Sequence, residues 1–396
     1  MRVAIIQEHV DLSRGGAETS VLEMARQLAR HGCDVTVLCR GPVESPVDDP
    51  GVRVRPLTVG GPTRALRTYR YIQAVQRLCR KERFDIVHAV TPCLAANIYQ
   101  PRGGTYAETL TRGLALTASP LARRLRALGR RFNVRQRFLM RLERVLLTRR
   151  AARVVVAALS DYVRRQVEDF CRAASGSGAT PPVRVIFNGV EVAAWAADEQ
   201  SRLRAERRAA LGIADWTPLI LFAAHNFRLK GLTELIRALA HRAAQPDWLL
   251  VVAGRDHPAR YQRLVHRLHL GDRVRFVGTA TSLRSWYAAA DVLAHPTWYD
   301  PCSRVVLEAL SLGLPVVTTR YNGAAEAMVP GRHGVVIDGP ADTAALAAAL
   351  ERSVQPELQA ACQADAARFA ERFSMARHAR ELLALYEERR GPRCGR

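Results

Sequence analysis

Residues 291–319, DVLAHPTWYDPCSRVVLEALSLGLPVVTT, contain the pattern that decides the fold. The first five residues form an apolar run typical of a buried strand, and PTWYDPCS holds the proline and small polar residues that end one. RVVLEALSLG has the apolar spacing of a helix that Gly313 ends, and PVVTT is a second strand. A strand, a helix and a strand in that order predict two parallel strands joined by a helical crossover.

The same alternation recurs along the whole chain, with helical patterns such as AETSVLEMARQLARHG between the strands. The strand patterns are VAIIQ, DVTVLC, VRVRPL, DIVHAV, ARVVVAAL and VRVIF in the first half, and LILFAA, WLLVVAG, VRFVG, DVLAHP, PVVTT and GVVID in the second. A chain of 396 residues is long enough for two domains. The sequence therefore predicts an α/β protein of two Rossmann-like, doubly wound domains, at residues 1–189 and 190–396. The final helix is able to cross back onto the first domain.

The composition is that of a globular protein, and we expect it to stay in the cytoplasm. Hydrophobic residues make up 48% of the chain, and MRVAIIQ lacks the long apolar core and cleavage site of a signal peptide. No apolar run reaches the roughly 20 residues that span a bilayer. Eight cysteines occur without a C-x-x-C pair, which predicts reduced thiols and no structural zinc.

The net charge of +22 comes almost wholly from arginine, since Lys81 and Lys230 are the two lysines. Such a charge favours nucleic acid, an anionic membrane or a phosphorylated substrate. Residues 121–150, from Leu121 to Arg150, carry eleven arginines, and apolar residues recur there at spacings of three and four. One helix with an apolar and a cationic face is therefore expected. It either lies on an anionic membrane or packs one face on the core with its arginines solvated.

Two carboxylates flank the start of the helix in the opening stretch. Asp300 precedes the helix, Ser303 is expected to cap it, and Glu308 lies further in. The main-chain amides of a first helical turn attract anions, and the helix dipole adds to this. A sugar nucleotide suits such a site, with phosphates for the amides, a ribose diol for one carboxylate and the transferred sugar for the other. The alternative is that Asp300 is a turn residue and Glu308 a solvated or salt-bridged one.

Asp300, Glu308 and EALSLGLPVVTT resemble the acid-x7-acid signature of family-four retaining glycosyltransferases. The resemblance implies the GT-B fold, in which two Rossmann-like domains face a central cleft. It also implies that Asp300 contacts the donor sugar and Glu308 the ribose. Donor binding is further assigned to the start of the helix, at Cys302, Ser303, Arg304 and Val305. Two departures leave the donor sugar open: the first acid is usually Glu, and Phe-Gly commonly stands where this chain has Cys302 and Ser303.

Other segments resemble the family in the same order along the chain. RGGAET opens the first helix with Gly15 and Gly16, where the family has a Gly-Gly loop facing the donor phosphates and the acceptor. FRLKG places Arg228 and Lys230 where the family neutralises the diphosphate leaving group, and exposed loop cations are the alternative. VVAGRD and VRFVG give weaker matches at Arg255 and Gly278, the latter a backbone contact to the nucleobase. Gly323 and Glu326 complete the pattern, or else form a turn and a helix cap.

The acceptor is expected in the first domain, beside YQPRGGTYAE at residues 99–108. Many family members have a histidine near this point, and we expect Arg102 or Tyr106 to contact the acceptor instead. His88 ends a strand, where a lone histidine more often has a structural role. The AE pair and the basic segment after it resemble lipopolysaccharide-core glucosyltransferases. That resemblance implies UDP-glucose as donor, a glycolipid or glycan acceptor, and an anionic membrane as partner of residues 121–150.

The predicted reaction moves a sugar from a nucleoside diphosphate sugar to an acceptor hydroxyl, with retention at the anomeric carbon. No D-x-D motif follows a strand, so no metal or other cofactor is expected. The full G-x-G-x-x-G of dinucleotide-binding proteins is also missing. A sugar-nucleotide epimerase of the same fold is the first alternative. A nucleic-acid-binding protein is the second, although no recognition motif or stacking platform for bases is evident.

Overall fold

The computed structural model describes residues 1–10, 16–41, 51–117, 119–130, 132–175, 180–241 and 248–390. The chain divides into two compact units. One comprises Met1–Gly189 together with the chain from Met375 onward, and the other comprises Val190–Ser374. The sequence predicted a second domain at residues 190–396, with the final helix able to cross back onto the first. In the structure, the last helix belongs to the first unit.

In the first unit, the described residues contain a parallel sheet of seven strands. They are β1 (Arg2–Ile6), β2 (Asp34–Arg40), β3 (Val52–Leu57), β4 (Ile86–Ala89), β5 (Ile98–Tyr99), β6 (Val155–Ala158) and β7 (Val183–Val185). Their order across the sheet is β3-β2-β1-β4-β5-β6-β7. The central strands are buried on both faces, because helices cover a parallel sheet on each side, and this explains their continuous apolar sequences.

The helices of this unit follow the strands in the expected alternation. They are α1 (Gly16–Arg30), α2 (Arg64–Glu82), α3 (Tyr106–Ala115), α4 (Pro120–Arg130), α5 (Val134–Arg144) and α6 (Asp161–Ser175), with a π-helical turn at Val145–Arg149. Thr63 caps α2 and Thr105 caps α3, each accepting a hydrogen bond from the amide three residues on. Such caps satisfy amides that the helix itself leaves without acceptors.

The segment at residues 121–150 does not form the single helix that its apolar spacing predicted. It is divided between α4 and α5, with Asn133 capping α5 by accepting from the Gln136 amide. Leu142 and Leu146 are buried in a core cluster of the unit, and Leu139 is fully buried as well. The alternative of a helix packing its apolar face on the core is therefore confirmed for α5. Helix α4 differs, because its leucines are exposed.

In the second unit, six strands are seen among the described residues, again all parallel. They are β8 (Leu219–Ala223), β9 (Leu249–Ala253), β10 (Val274–Gly278), β11 (Val292–His295), β12 (Val316–Thr319) and β13 (Gly334–Ile337). Their order is β10-β9-β8-β11-β12-β13. The helices are α7 (Glu199–Leu211), α8 (Leu232–Ala240), α9 (Ala259–Arg267), α10 (Arg284–Ala289), α11 (Arg304–Ser311), α12 (Thr343–Ser353) and α13 (Pro356–Arg372).

The last helix, α14 (Met375–Arg390), packs against α1 of the first unit. It buries Leu382, Leu385 and Tyr386 in the same apolar cluster as β1. Each unit thus has its own core and a doubly wound parallel sheet, and the predicted fold class of two Rossmann-like domains is confirmed. Across the described ranges, no helix has both the length and the apolar character needed to cross a membrane.

Candidate functional site in the second unit

Two predicted site residues of the second unit, Lys230 and Asp300, lie on two loops at a reversal of strand order. Strands β8 and β11 are neighbours, and the chain runs outward from them in opposite directions across the sheet. The loop after β8 carries Lys230, and the loop after β11 carries Asp300. In the main chain, the Trp298 amide donates to the Leu229 carbonyl at 2.9 Å. Ligands of doubly wound sheets bind at such a reversal, beyond the carboxyl ends of the strands.

Lys230 and Asp300 form a nearly buried ion pair. The Lys230 Nζ lies 2.5 Å from Asp300 Oδ2 and donates to the Tyr299 carbonyl at 3.2 Å. The two side chains are 18% and 14% exposed. Burial acts to raise the pKa of Asp300, but the Lys230 ammonium and the neighbouring His295 outweigh it, so the pKa lies well below its usual range. Asp300 is therefore an ionised carboxylate at neutral pH.

His295 is a member of this cluster that sequence reasoning did not select. Its Nε2 lies 3.4 Å from Asp300 Oδ2 and 3.3 Å from Ser303 Oγ. Burial lowers the pKa of His295, so the ring is neutral at neutral pH. The signal in the sequence was its place as the last residue of β11, five residues before Asp300.

The start of α11 is held by side chains of the same unit. The Cys302 amide donates to Asp300 Oδ1 at 3.2 Å, and the Ser303 amide donates to the Asn322 side-chain oxygen at 3.2 Å. Ser303 occupies the N-cap position but its hydroxyl does not cap the helix, in contrast to the sequence prediction. Two of the four residues assigned to donor binding thus have their amides bonded within the protein.

Glu308 lies on α11 beside a cavity of about 570 Å³. Its Oε2 accepts a hydrogen bond from the Tyr287 hydroxyl at 2.9 Å, and Arg304 lies 3.6 Å from Oε1. Burial, and then the Glu308 charge, raises the pKa of Tyr287 well above its ordinary value, so this hydroxyl remains a donor. Ser282 and Glu191 also line the cavity. The Glu308 carboxylate thus faces a space large enough for a ligand, with further acceptor capacity for hydroxyl groups.

The remaining predicted residues of the unit surround these two loops to different degrees. Arg228 is half-buried in the Lys230 loop, and Arg255 is exposed after β9. Gly278 ends β10 in the left-handed region, with φ 67°, and its carbonyl accepts from the Gly254 amide. The Gly323 amide donates to the Asp300 carbonyl at 2.9 Å. Gly323 therefore belongs to the framework around Asp300, while Glu326 is exposed on a short 3-10 helix.

Gly231 allows the Lys230 loop to approach the loop after β11. Its φ is 82°, and a Cβ at this position would lie 2.1 Å from the Pro296 carbonyl oxygen. Only glycine tolerates both that conformation and that distance. The order Lys-Gly in this loop therefore follows from the contact between the two loops, in addition to any role in binding.

In the first unit, the predicted acceptor residues are largely internal. Arg102 is buried and donates to Ser20 Oγ at 2.5 Å and to the Asn188 side chain at 3.3 Å, in contrast to the expected exposure to an acceptor. His88 Nδ1 lies 2.5 Å from the Tyr386 hydroxyl, and burial lowers the pKa of His88 to about 3. A structural role for His88 agrees with this placement. Tyr106 begins α3 and its amide donates to Glu143 at 2.9 Å.

The predicted Gly-Gly loop is only partly within the structure. Gly16 is the first residue of α1, and Gly15 lies outside the described residues. Within the described ranges, no group of three or more His, Cys, Asp or Glu side chains is arranged to hold a metal ion.

Two protein-family models match the chain. The model described as Glycosyltransferase Family 4 matches residues 14–194, and the model described as Glycosyl transferases group 1 matches residues 204–369. The two matched ranges correspond closely to the two halves of the alternating strand and helix pattern.

Curated relatives align with parts of the chain. Lipopolysaccharide glucosyltransferase WaaG of Escherichia coli is 34% identical over 131 residues, which are 33% of this chain and 35% of that protein. D-inositol 3-phosphate glycosyltransferase of Corynebacterium kroppenstedtii is 31% identical over 230 residues, 54% of this chain and 50% of that protein. These alignments span between about a third and a half of the relatives' own lengths.

Solved structures resemble the chain over nearly its full length. The crystal structure of WaaG superposes with a TM-score of 0.76 at 24% identity, covering 97% of this chain and 99% of that one. The Anabaena protein HepE, solved in complex with UDP-glucose, has a TM-score of 0.72 at 19% identity, with 97% and 99% coverage. At these identities the likeness concerns the fold.

Proposed function

Because the chain belongs to family four of the glycosyltransferases, we propose that it transfers a sugar from a nucleoside diphosphate sugar to an acceptor hydroxyl, with retention at the anomeric carbon. The observation that carries this proposal is the pair of Lys230 and Asp300 at the strand-order reversal of the second unit, with Glu308 on a cavity of the same unit. The pair provides a fixed cation for a leaving diphosphate. The cavity provides a carboxylate for a ribose.

Lys230 retains a donor for a phosphate even though it is paired. An ammonium group has three N–H donors. Asp300 and the Tyr299 carbonyl accept two of them in the described structure. The third is available to an oxygen of the leaving diphosphate, and Asp300 fixes the direction of the ammonium. Arg228 in the same loop adds positive charge, and the dipole of α11 adds positive potential at its first turn. Such preorganised groups stabilise the charge that develops on a leaving group.

Glu308 is proposed to accept hydrogen bonds from the ribose hydroxyls of the donor. The Tyr287 hydroxyl occupies one lone pair of Oε2, which fixes the carboxylate on the face of α11 toward the cavity. An ionised carboxylate offers about four lone-pair sites, so a diol still finds acceptors. In this assignment Asp300 contacts the transferred sugar. We also propose that Arg255 and the backbone at Gly278 lie beside the donor, and that the reaction needs no metal ion.

The donor is proposed to be UDP-linked, with glucose as the first sugar to test. HepE, which has the same fold, was solved with UDP-glucose, and this supports the choice. The relatives' names point to different acceptors, a lipopolysaccharide in one case and D-inositol 3-phosphate in the other. We place a membrane-associated glycan or glycolipid first, as in cell-surface polysaccharide synthesis, because the first unit has a surface suited to a membrane.

That surface is helix α4. Leu121, Leu125 and Leu128 recur at spacings of four and three, so they share one face, and they are 67%, 61% and 52% exposed. Arg123 and Arg124 lie between them on an exposed helix. A helix with exposed leucines and adjacent arginines binds at the boundary of anionic lipid headgroups and acyl chains. We propose that α4 attaches the enzyme to the inner face of the cytoplasmic membrane.

The activity is tested by incubating the protein with UDP-glucose and other nucleotide sugars and measuring nucleoside diphosphate release, with and without a membrane extract as acceptor source. Release from one donor that depends on the extract is expected, with the same rate in the presence of a metal chelator. Lys230→Met and Glu308→Gln are each expected to lower release strongly. Near-normal release by either variant would remove that residue from the site. Transfer with inverted configuration in the isolated product would contradict retention.

Membrane attachment is tested by co-sedimentation with vesicles of phosphatidylcholine, with and without phosphatidylglycerol. The variant Leu121→Ser/Leu125→Ser/Leu128→Ser is expected to lose binding to the anionic vesicles. Trp216→Ser is the matched control, because Trp216 is 83% exposed in the second unit. Unchanged binding of the triple variant would show that α4 is not the attachment surface.

A further inference from the structure

A cavity of about 500 Å³ in the second unit lies between α8 and α9, and cationic side chains dominate its lining. Arg237 comes from α8, and Arg260, Arg263 and Arg267 come from α9. His266 also lines it. We call these four arginines and the space they enclose the arginine cavity. None of its lining residues belongs to the proposed donor site, which comprises Lys230, Asp300 and Glu308.

None of the four arginines is seen in an ion pair among the described residues, in contrast to several other helical arginines. Arg164, Arg202 and Arg377 each pair with an acid three or four positions away on the same helix. Within the part of the chain that the structure describes, no carboxylate lies within ion-pair distance of the arginine-cavity guanidinium groups, and α9 contains no acidic residue. The positive charges therefore repel one another, and the repulsion is compensated only in part, because two of the four arginines interact electrostatically with Glu234.

Glu234, the one acid of α8, compensates them only in part: burial raises its pKa, and the charges of Arg237 and Arg260 act against that shift. It does not line the cavity, and its Oε2 is buried without a hydrogen-bond partner in the described structure. The floor of the cavity is made by the buried residues Tyr261 and Leu264. The guanidinium of Arg260 lies 5.1 Å from the centre of the Tyr261 ring, which limits its freedom. The cavity thus has a firm apolar floor beneath a rim of donors.

The chemistry of this lining selects a multiply charged oxyanion. Each guanidinium offers several N–H donors in a plane, which match the oxygen atoms of phosphate in pairs. A phosphate monoester or a diphosphate carries more than one negative charge at neutral pH, whereas a carboxylate carries one. Four guanidinium groups line the cavity and no acid does, so the net positive charge there favours phosphate over carboxylate. The large exposed apolar residues of the described chain lie outside α8 and α9, so binding there needs no insertion into a lipid phase.

We propose that the arginine cavity is a second anion site, which binds the phosphate groups of a ligand other than the sugar donor. The ligand presents a phosphate monoester or a diphosphate, and that group belongs either to a free phosphate compound or to a lipid headgroup. Occupation of the site would relieve the repulsion among the four arginines and join α8 to α9 through the ligand. The site goes beyond the proposed transfer reaction and does not depend on it.

The test measures the binding of inorganic pyrophosphate to the full chain by isothermal titration calorimetry. The variant Arg263→Gln/Arg267→Gln removes two of the arginines, which stand four positions apart on α9. The matched control is Arg368→Gln/Arg372→Gln, an exposed pair with the same spacing on α13 of the same unit. The cavity variant is expected to lose roughly tenfold or more in affinity at one site, since hydrogen bonds to charged groups are the strong ones. The control is expected to bind like the wild type.

A second measurement identifies the source of the phosphate. The same two pairs of changes are compared, with α4 unaltered, for binding to phosphatidylcholine vesicles that contain phosphatidic acid, whose headgroup is a phosphate monoester. Weaker pyrophosphate binding alone by the cavity variant supports a free phosphate compound, and weaker binding in both measurements supports a lipid headgroup. Equal behaviour of the cavity variant and the control in both measurements overturns the proposal. Arg237→Gln on α8 repeats the test if the α9 variant does not fold.

Discussion

Removing the Lys230 ammonium should destabilise the second unit locally, as well as affecting transfer. Asp300 is ionised and its side chain is 14% exposed, so Lys230→Met leaves a nearly buried carboxylate without its partner. Breaking a buried pair from one side typically costs about 3 to 5 kcal/mol. The lower end applies here, about 3 kcal/mol, because His295 stays 3.4 Å from the same oxygen. The double variant Lys230→Met/Asp300→Asn should recover most of that loss, since no charge remains buried.

Hydrogen exchange of the amides in β11 and α11 measures this local stability directly. A loss of about 3 kcal/mol corresponds to roughly hundredfold faster exchange in Lys230→Met. Neither the single nor the double variant should transfer sugar, so stability and activity separate in the double variant. Lys230→Arg keeps the charge and serves as the control for stability. Exchange in Lys230→Met that equals the wild type, or no recovery in the double variant, would refute the buried pair as described.

The pH dependence of the same exchange has a definite sign. In the wild type, the folded pKa of Asp300 lies below its ordinary value of 3.8, so the pair stabilises the fold above that value and the contribution is lost as pH falls through the folded pKa. In Lys230→Met, burial favours the protonated carboxyl. The variant therefore regains stability as pH falls from neutral toward the ordinary value. The difference in exchange between the two proteins should narrow over that interval.

Three further outcomes are expected. Tyr287→Phe removes the hydroxyl donor from the acid on α11, and the KM for the donor should rise roughly tenfold with kcat little changed, measured by initial rates. Burial raises the pKa of Glu143 from 4.5 to about 7, so the folded state holds a proton there, and the free energy of unfolding falls as pH rises through 7. Above that pH, Glu143→Gln should be more stable than the wild type by up to roughly 3 kcal/mol. Below pH 4.5 the two proteins should be equally stable, as measured by thermal unfolding. Gly231→Ala places a Cβ 2.1 Å from the Pro296 oxygen and should abolish most transfer, whereas Gly212→Ala, also at positive φ but with open space around it, should cost only about 1 kcal/mol of stability and no activity.

The fold was readable from the sequence because parallel strands are continuous apolar runs. Every strand pattern of both halves corresponds to a strand of the structure, since such runs have few other uses where no described helix is long and apolar enough to cross a membrane. The exception is β5, whose two residues are too few to form a pattern. Its place in the sheet depends on pairing with β4 and β6, which are distant in sequence.

The segment at residues 121–150 shows where periodicity stops being informative. A continuous spacing of three and four predicted one helix, and the structure ends α4 at Arg130 and starts α5 at Val134. The Asn133 side chain, which accepts from the Gln136 amide, is the local signal for the new start. Whether a helix face meets the core or solvent depends on the rest of the unit. Leu139 is buried and Leu125 is exposed, although both belong to the same spacing.

The candidate site was predictable as two loops but not as a set of contacts. The positions of Lys230 and Asp300 after apolar strands placed both at the carboxyl edge of a sheet. Their pairing depends on β8 and β11 being neighbours, and strand order is not written in either segment. His295 and Asn322 were not predicted for the same reason, because each contacts Ser303, which the fold brings close to them.

The pairing also explains why position 230 holds one of the two lysines of an arginine-rich chain. The Lys230 Nζ donates to the Asp300 carboxylate at 2.5 Å and to the Tyr299 carbonyl at 3.2 Å. The same nitrogen must also direct a third donor toward the leaving diphosphate. The tetrahedral ammonium does this with one atom, whereas a planar guanidinium spreads its donors over a wider fork. Gly231, directly after it, keeps the loop close enough to the loop after β11 for that single atom to reach both acceptors. The positions of Lys230, Gly231 and Asp300 therefore depend on one another, and changing any of the three alters the direction of the Lys230 ammonium.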